Sequence, residues 1–166
     1  FMVGACIGAL NGVLIAKLKA VALVETLAIK LTLLGAFLVI TQGRAITSMP
    51  DSYKWFGQGK LLGIPTLPIA LVAVFVFVYI LWNKTPFGRS LYAVGGNENA
   101  AYVSGIKVDR IKIIAFTISG FLAGVAGFFL SAYMGAVTST FGTSYDMNNI
   151  AATVIGGVAC SGGQGN

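Results

Sequence analysis

Long apolar runs separated by short basic and turn-rich stretches set the pattern of this chain. Residues 61–83 and 113–145 contain no charged side chain at all, and about 20 apolar residues suffice for a helix to cross the ~30 Å hydrocarbon core of a bilayer. The second run is long enough for a helix and an outer loop. Residues 1–16 form a shorter run. Residues 31–43 are too short alone, but become a span if the helix starts near Val21 and carries Glu25 and Lys30. A last apolar stretch, 150–160, follows Asp146 and is expected as a half-helix or as a span cut off by the end of the fragment. The spans expected are therefore 1–16, 22–41, 62–82, 111–133 and 147–160. Between them, 42–60 holds Pro50, Asp51, Gly57 and Gly59 and is expected as a loop in water. The second connector, 84–110, has more order written into it.

This pattern predicts an all-α, polytopic integral membrane helical bundle. The chain starts inside a hydrophobic stretch and stops at Gly165-Asn166, so it is expected to be a fragment, with further spans at both ends and little capacity to fold alone. Composition agrees. Hydrophobic residues make up 57% and charged residues 10%, against roughly 45–50% and 25% in soluble domains, and the mean hydropathy is +0.87. Histidine is absent, which removes common metal ligands and most nucleophile–base pairs; neither a metal site nor a cofactor is expected. The two cysteines, Cys6 and Cys160, lie in apolar runs and are expected as buried, inert thiols.

A net charge of +6 raises the question of nucleic acid. The basic residues are scattered between apolar runs, however, as juxtamembrane charges that set orientation. Four crossings in series put Lys17, Lys19, Lys84, Arg89, Lys107, Arg110 and Lys112 on one side, and Arg44, Lys54 and Lys60 on the other. The richer side is cytoplasmic by the positive-inside rule, which places 84–110 inside and 42–60 outside. Gly4, Gly8, Gly12 and Ala16 recur every four residues, and Gly120, Ala123, Gly124 and Gly127 make a second small-residue ridge. Helices in lipid associate where small residues let backbones approach, either within one subunit or across a dimer seam.

Within 84–110, Asn97 is placed to cap a short helix over Glu98–Ser104. Gly105 suits the left-handed position after it, with Ile106 folding back toward Ala101. Asp109 is expected to cap the next helix. Ala100 and Ala101 give the short helix a flat, approachable side. It is too short to span, and is either a surface cap or a docking element.

The run Phe87-Gly88-Arg89, Tyr92-Ala93-Val94-Gly95-Gly96-Asn97, Ala100-Ala101, Ser104-Gly105-Ile106 and Val108, followed by Ser119-Gly120 and Ala123-Gly124-Val125-Ala126-Gly127, is similar to the permease subunits of bacterial ABC sugar importers of the ribose type, in the branched-chain permease superfamily. Gly8-Ala9-Leu10-Asn11-Gly12, Leu62-Gly63-Ile64-Pro65 and Ile155-Gly156-Gly157 agree, and the resemblance covers nearly the whole chain. It implies a passive translocation subunit of the bacterial inner membrane. Its expected partners are a second permease subunit, cytoplasmic ATPase subunits that bind the ATP, a periplasmic sugar-binding protein and membrane lipid, but no nucleic acid. It also implies that Gly96, Asn97, Glu98, Ala100, Ala101, Ser104, Gly105 and Ile106 form the element that couples to the ATPase.

Ser161-Gly162-Gly163-Gln164 resembles the heart of an ABC ATPase signature, but the chain has no G-x-x-x-x-G-K-[ST] loop to cradle phosphate. A glycine turn after an apolar run accounts for it. Polar groups inside the apolar runs are candidates for a sugar path: Asn11, Lys30, Thr117 and Asn148 first, then Thr26, Thr32 and Asn149. Each also fits an interhelical hydrogen bond. Lys30 either lines the path, pairs with another helix, or snorkels to the membrane boundary. The rival readings are a branched-chain amino acid permease and an ion-driven transporter, for which Glu25 and Asp146 are the acids near the membrane.

Overall fold

The computed structural model describes residues 1–157 apart from 48, 62, 139–141, 143 and 144, and describes only the backbone of Leu61. Cys160, the 161–164 turn and the end of the last expected span lie outside the described residues. Eight helices appear among them: α1 (Met2–Leu18), α2 (Ala22–Thr41), α3 (Asp51–Gln58), α4 (Thr66–Lys84), α5 (Pro86–Gly96), α6 (Glu98–Val103), α7 (Val108–Met134) and α8 (Tyr145–Ile155). A two-residue antiparallel pair, β1 (Lys60–Leu61) with β2 (Ile64–Pro65), precedes α4. The chain is thus an all-α bundle in which α2, α4 and α7 are long and apolar enough to cross a membrane.

The tightest packing is between α1 and α7. Gly4 lies against Gly120 and Gly124, Gly8 against Phe116 and Gly120, and Gly12 against Ile113 and Phe116. Rising numbers on α1 meet falling numbers on α7, so the two helices run antiparallel, with Gly4, Gly8 and Gly12 of the first ridge and Gly120 and Gly124 of the second in their seam, while Ala123 and Gly127 stand exposed outside it. Side chains there would hold the backbones apart, and in lipid that contact is what helix association depends on. Cys6 is exposed and faces away from the seam, which corrects the expectation of a buried thiol: glycines take the inner face of α1 and leave the thiol on the outer one.

Helices α2 and α4 bury no residue, and Val39, Ile40, Leu71 and Phe75 are broadly exposed. In water such faces would be untenable; lipid or further helices solvate them without penalty.

The antiparallel seam also fixes the ends of the bundle. Lys19, Lys107 and Arg110 line one groove at the α7 start. At the other end, Lys54 approaches Gly135 and the backbone of Ile46 pairs with that of Val137. The expected water-facing loop 42–60 is more structured than its Pro and Gly content suggests. Within it, α3 lies on the end of α7, where the Tyr53 hydroxyl meets the Ser131 hydroxyl at 2.5 Å and the Gln58 amide donates to the Tyr133 carbonyl at 2.7 Å. Tyr53 and Phe56 pack edge-on to Phe128, with ring centroids 5.0 and 5.7 Å away.

Candidate functional site

The connector between α4 and α7 folds as two helices, and the first of them, α5, is absent from the expectation for 84–110. Its start is local chemistry: Thr85 accepts from the Gly88 backbone N–H at 3.5 Å as N-cap, with Pro86 at the first helical position. A Cβ on Gly88 would run into the Trp82 carbonyl, so glycine there lets the chain double back on the end of α4. Trp82 and Phe87 then meet edge-on at 6.4 Å. Gly96 closes α5 and does not belong to the second helix.

That second helix, α6, is built by rules confined to a few residues. Asn97 Oδ1 accepts from the Ala100 N–H at 3.0 Å. At the other end Gly105 has φ +82°, donates to the Tyr102 carbonyl at 3.0 Å, and Ile106 donates to the Ala101 carbonyl at 3.1 Å. These two crossed bonds are a Schellman stop, which satisfies the last carbonyls of the helix. Ser104 sits at the C-cap, outside the helix, and its hydroxyl donates to the Ala100 carbonyl at 2.9 Å. Asp109 does not cap α7, as expected from sequence; the N-cap is Lys107 and Asp109 lies in the first turn, where its charge still favours the helix dipole.

Packing then decides which side of α6 faces out. Ala101, 3% exposed, joins Val94 of α5 and Val108 of α7 in a small core, with Ile106 and Ile111 against it. Ala101 is therefore part of the anchor and not of the approachable surface. That surface is carried by Tyr102 and Val103, 75% and 86% exposed, together with Asn99 and Ala100. Sequence reasoning passed over both large residues, although an aromatic and a valine on a six-residue polar helix are a signal. Glu98 and Lys112 form an ion pair at 2.8 Å that ties α6 to α7; so exposed a pair contributes about 0–1 kcal/mol. Beside the helix lies an open groove lined by Lys19, Tyr102, Lys107 and Arg110, with Glu98 and Asp109 on its walls. The result is a rigidly seated, apolar-tipped knob among basic groups at one end of the bundle.

The other sequence candidates scatter. Thr117, Thr26 and Thr32 hydrogen-bond to carbonyls of their own helices, at 2.7, 2.8 and 2.9 Å. Asn11 Oδ1 and both Glu25 carboxylate oxygens are buried with no hydrogen-bond partner among the described residues. Asn148 and Asn149 are exposed on α8. Lys30 neither snorkels nor stands alone, since its ammonium pairs with the Asp146 carboxylate of α8. Among the described residues no group of three or more His, Cys, Asp or Glu could hold a metal ion.

Apolar helices of spanning length with basic residues gathered at one end define a multi-pass protein of the inner membrane. The chain belongs to the family described as branched-chain amino acid transport system / permease component, whose model matches residues 1–165. It is 44% identical to the ribose import permease protein of Bacillus subtilis over 157 residues, which cover 93% of the chain and 49% of that protein. It is 40% identical to the ribose import permease protein of Escherichia coli K12 over 166 residues, covering 98% and 52%. The L-arabinose transport system permease protein of E. coli K12 is 38% identical over 155 residues, covering 93% and 47%. The chain spans about half the length of the curated relatives it matches. No solved structure matches it.

Proposed function

We propose that the chain is part of the membrane subunit of an ATP-driven importer that moves a small sugar, ribose-like in size, across the bacterial inner membrane. The observation that carries this reading is the seating of α6. A short helix capped at both ends, anchored by Ala101 and presenting Tyr102 and Val103 at the basic end, suits docking into a groove of a cytoplasmic ATPase. Positive charge marks that end as cytoplasmic. Rigid anchoring suits transmission, because packed elements shift as units between discrete arrangements. The chain itself carries out no chemistry in this account. ATP is bound and hydrolysed by separate ATPase subunits, a second permease subunit completes the pathway, and a periplasmic binding protein delivers the sugar.

Sugar is preferred to branched-chain amino acids because relatives covering nearly all of this chain are named for ribose and L-arabinose import. An ion-driven mechanism would have to run on Glu25, which has no hydrogen-bond partner among the described residues, because Asp146 is already paired with Lys30. The test is uptake of radiolabelled ribose by proteoliposomes holding the full-length permease, its ATPase and its binding protein. ATP inside the cytoplasmic compartment is expected to raise uptake by at least about tenfold over a non-hydrolysable analogue, the scale of a strongly coupled step. Uptake that follows a proton or sodium gradient and ignores ATP would overturn the reading.

A further inference from the structure

The Lys30–Asp146 pair fixes the depth of α8. Lys30 stands eight residues after the start of α2 and 11 before its end, so at ~1.5 Å per residue it lies about 12 Å and 16 Å from the two helix ends. Near the outer end, the chain leaving α7 pairs Val137 with Ile46. For Asp146 to reach Lys30, the start of α8 must lie back inside the membrane, near mid-depth. Helix α8 is 11 residues long and closes at Gly157, whose φ is +87° and whose N–H donates to the Val154 carbonyl at 3.1 Å. It is a half-helix, about 16 Å long, which begins mid-membrane.

Such interrupted helices occur where backbone and polar side chains line a cavity and not lipid. The side chains of α8 fit that setting. Asn149 and Thr153 lie three and seven positions after Asp146 and share its face, while Asn148 and Ile155 are on the far side. Thr26 stands one turn from Lys30 on α2. An ammonium, a carboxylate and an amide are thereby gathered within about one helical turn, with the Thr26 and Thr153 hydroxyls about 6 and 10 Å further along their helices. The Lys30 and Asp146 side chains remain 40% and 44% exposed even while paired. Hydrocarbon does not solvate such a strip, so ionisable residues at this depth face a bundle interior or a watery path.

We infer that Lys30 and Asp146, with Asn149 and Thr153, form a hydroxyl-binding station midway along the permeation path for a neutral polyhydroxylated molecule. This rests on the sugar-importer reading and gives it a location. The charged pair offers a donor and an acceptor side by side, as vicinal hydroxyls require, and the amide adds both kinds of group. Because the two charges neutralise one another, the station favours neutral sugars over free carboxylates or amines.

The experiment uses the full-length permease assembled with its ATPase and binding protein in proteoliposomes, in a background lacking native cysteines. Asn149→Cys and Thr153→Cys are probed with a charged, water-soluble thiol reagent, and Ile155→Cys on the far face of α8 sets the background rate. Thr153→Cys removes only a methyl while exchanging the hydroxyl for a thiol, and keeps the measurement available if Asn149→Cys fails to assemble. Labelling at 149 and 153 is expected at least about tenfold above background, as for a watery path, and ribose during turnover is expected to slow it about fivefold or more by occupying the station. Background-rate labelling would show that the pair is a brace packed against protein or lipid, and overturns the inference. Fast labelling that ribose leaves unchanged, in a complex that imports ribose, overturns it as well. Failure of the unmodified complex to import ribose under ATP strikes the functional reading itself, and the station falls with it; the uptake control separates this case from the other two.

Discussion

Replacing Gly120 by leucine is expected to remove nearly all folded subunit from the membrane. A Cβ at this position would meet the Gly4 carbonyl oxygen and lie 2.7 Å from the Gly8 Cα. These neighbours are backbone atoms of α1 and cannot turn aside as a side chain would. Relief requires α1 and α7 to separate along their whole seam, so the penalty exceeds the ~1–3 kcal/mol of ordinary overpacking. Native proteins are stable by only ~5–15 kcal/mol, and losing the whole α1–α7 seam is expected to exhaust that margin, so the folded fraction should fall by at least about tenfold. Gly127 provides the comparison, because no atom lies within 4 Å of its Cβ position. Gly127→Leu should keep the yield within about twofold, as surface changes usually do. The readout is the monodisperse fraction of full-length subunit carrying a fluorescent reporter. Equal yields from the two variants would contradict the α1–α7 seam.

The second large effect is expected from Ala101→Glu, and it should strike transport without removing the subunit. Ala101 is closed in by Val94 and Val108, and an ionised carboxylate is not tolerated unpaired among apolar side chains. The least costly escape is for α6 to swing outward, exposing the new charge. The α1–α7 seam lies elsewhere, so the folded yield should stay near that of the unmodified protein. ATP-driven uptake should fall at least about tenfold, the scale expected when an energetic coupling of a few kcal/mol is lost. ATP hydrolysis by the assembled complex should cease to respond to sugar-loaded binding protein. Ala101→Ser, small enough for the same pocket, should retain most of the uptake. Full transport by the glutamate variant would mean that the seating of α6 is irrelevant to coupling.

How much of this is legible in the sequence depends on the range of the interactions. The long helices are legible because charge-free runs such as 113–134 have no other stable home. The ends of α6 are legible because an Asn cap and a glycine with positive φ act within five residues of themselves. Helix α5 is less so, although its signal is present: Pro86 follows a capping threonine, and Phe87, Leu91 and Val94 recur at helical spacing. Helix α3 hides behind Pro50 and Gly57, which read as turn residues. In the structure Gly57 serves close approach instead, its Cα facing the backbone of Ala132 and Tyr133. The inward turn of Ala101 depends on where α5 and α7 stand, and Lys30 meets an acid 116 residues away. Neither follows from local spacing, because both contacts exist only once the helices have packed.

The central claim is that α6 docks on a nucleotide-driven partner. Its most direct test is disulfide crosslinking in the full-length importer, with single cysteines at Asn99, Tyr102 and Val103, on the exposed side of the helix, and partner cysteines in the ATPase groove. The account predicts crosslinks from these positions whose yield changes between ATP-bound and nucleotide-free states, and none from Ala101→Cys, which faces the anchor. An intact complex in which Tyr102→Cys and Val103→Cys never crosslink, whatever the nucleotide, would contradict it.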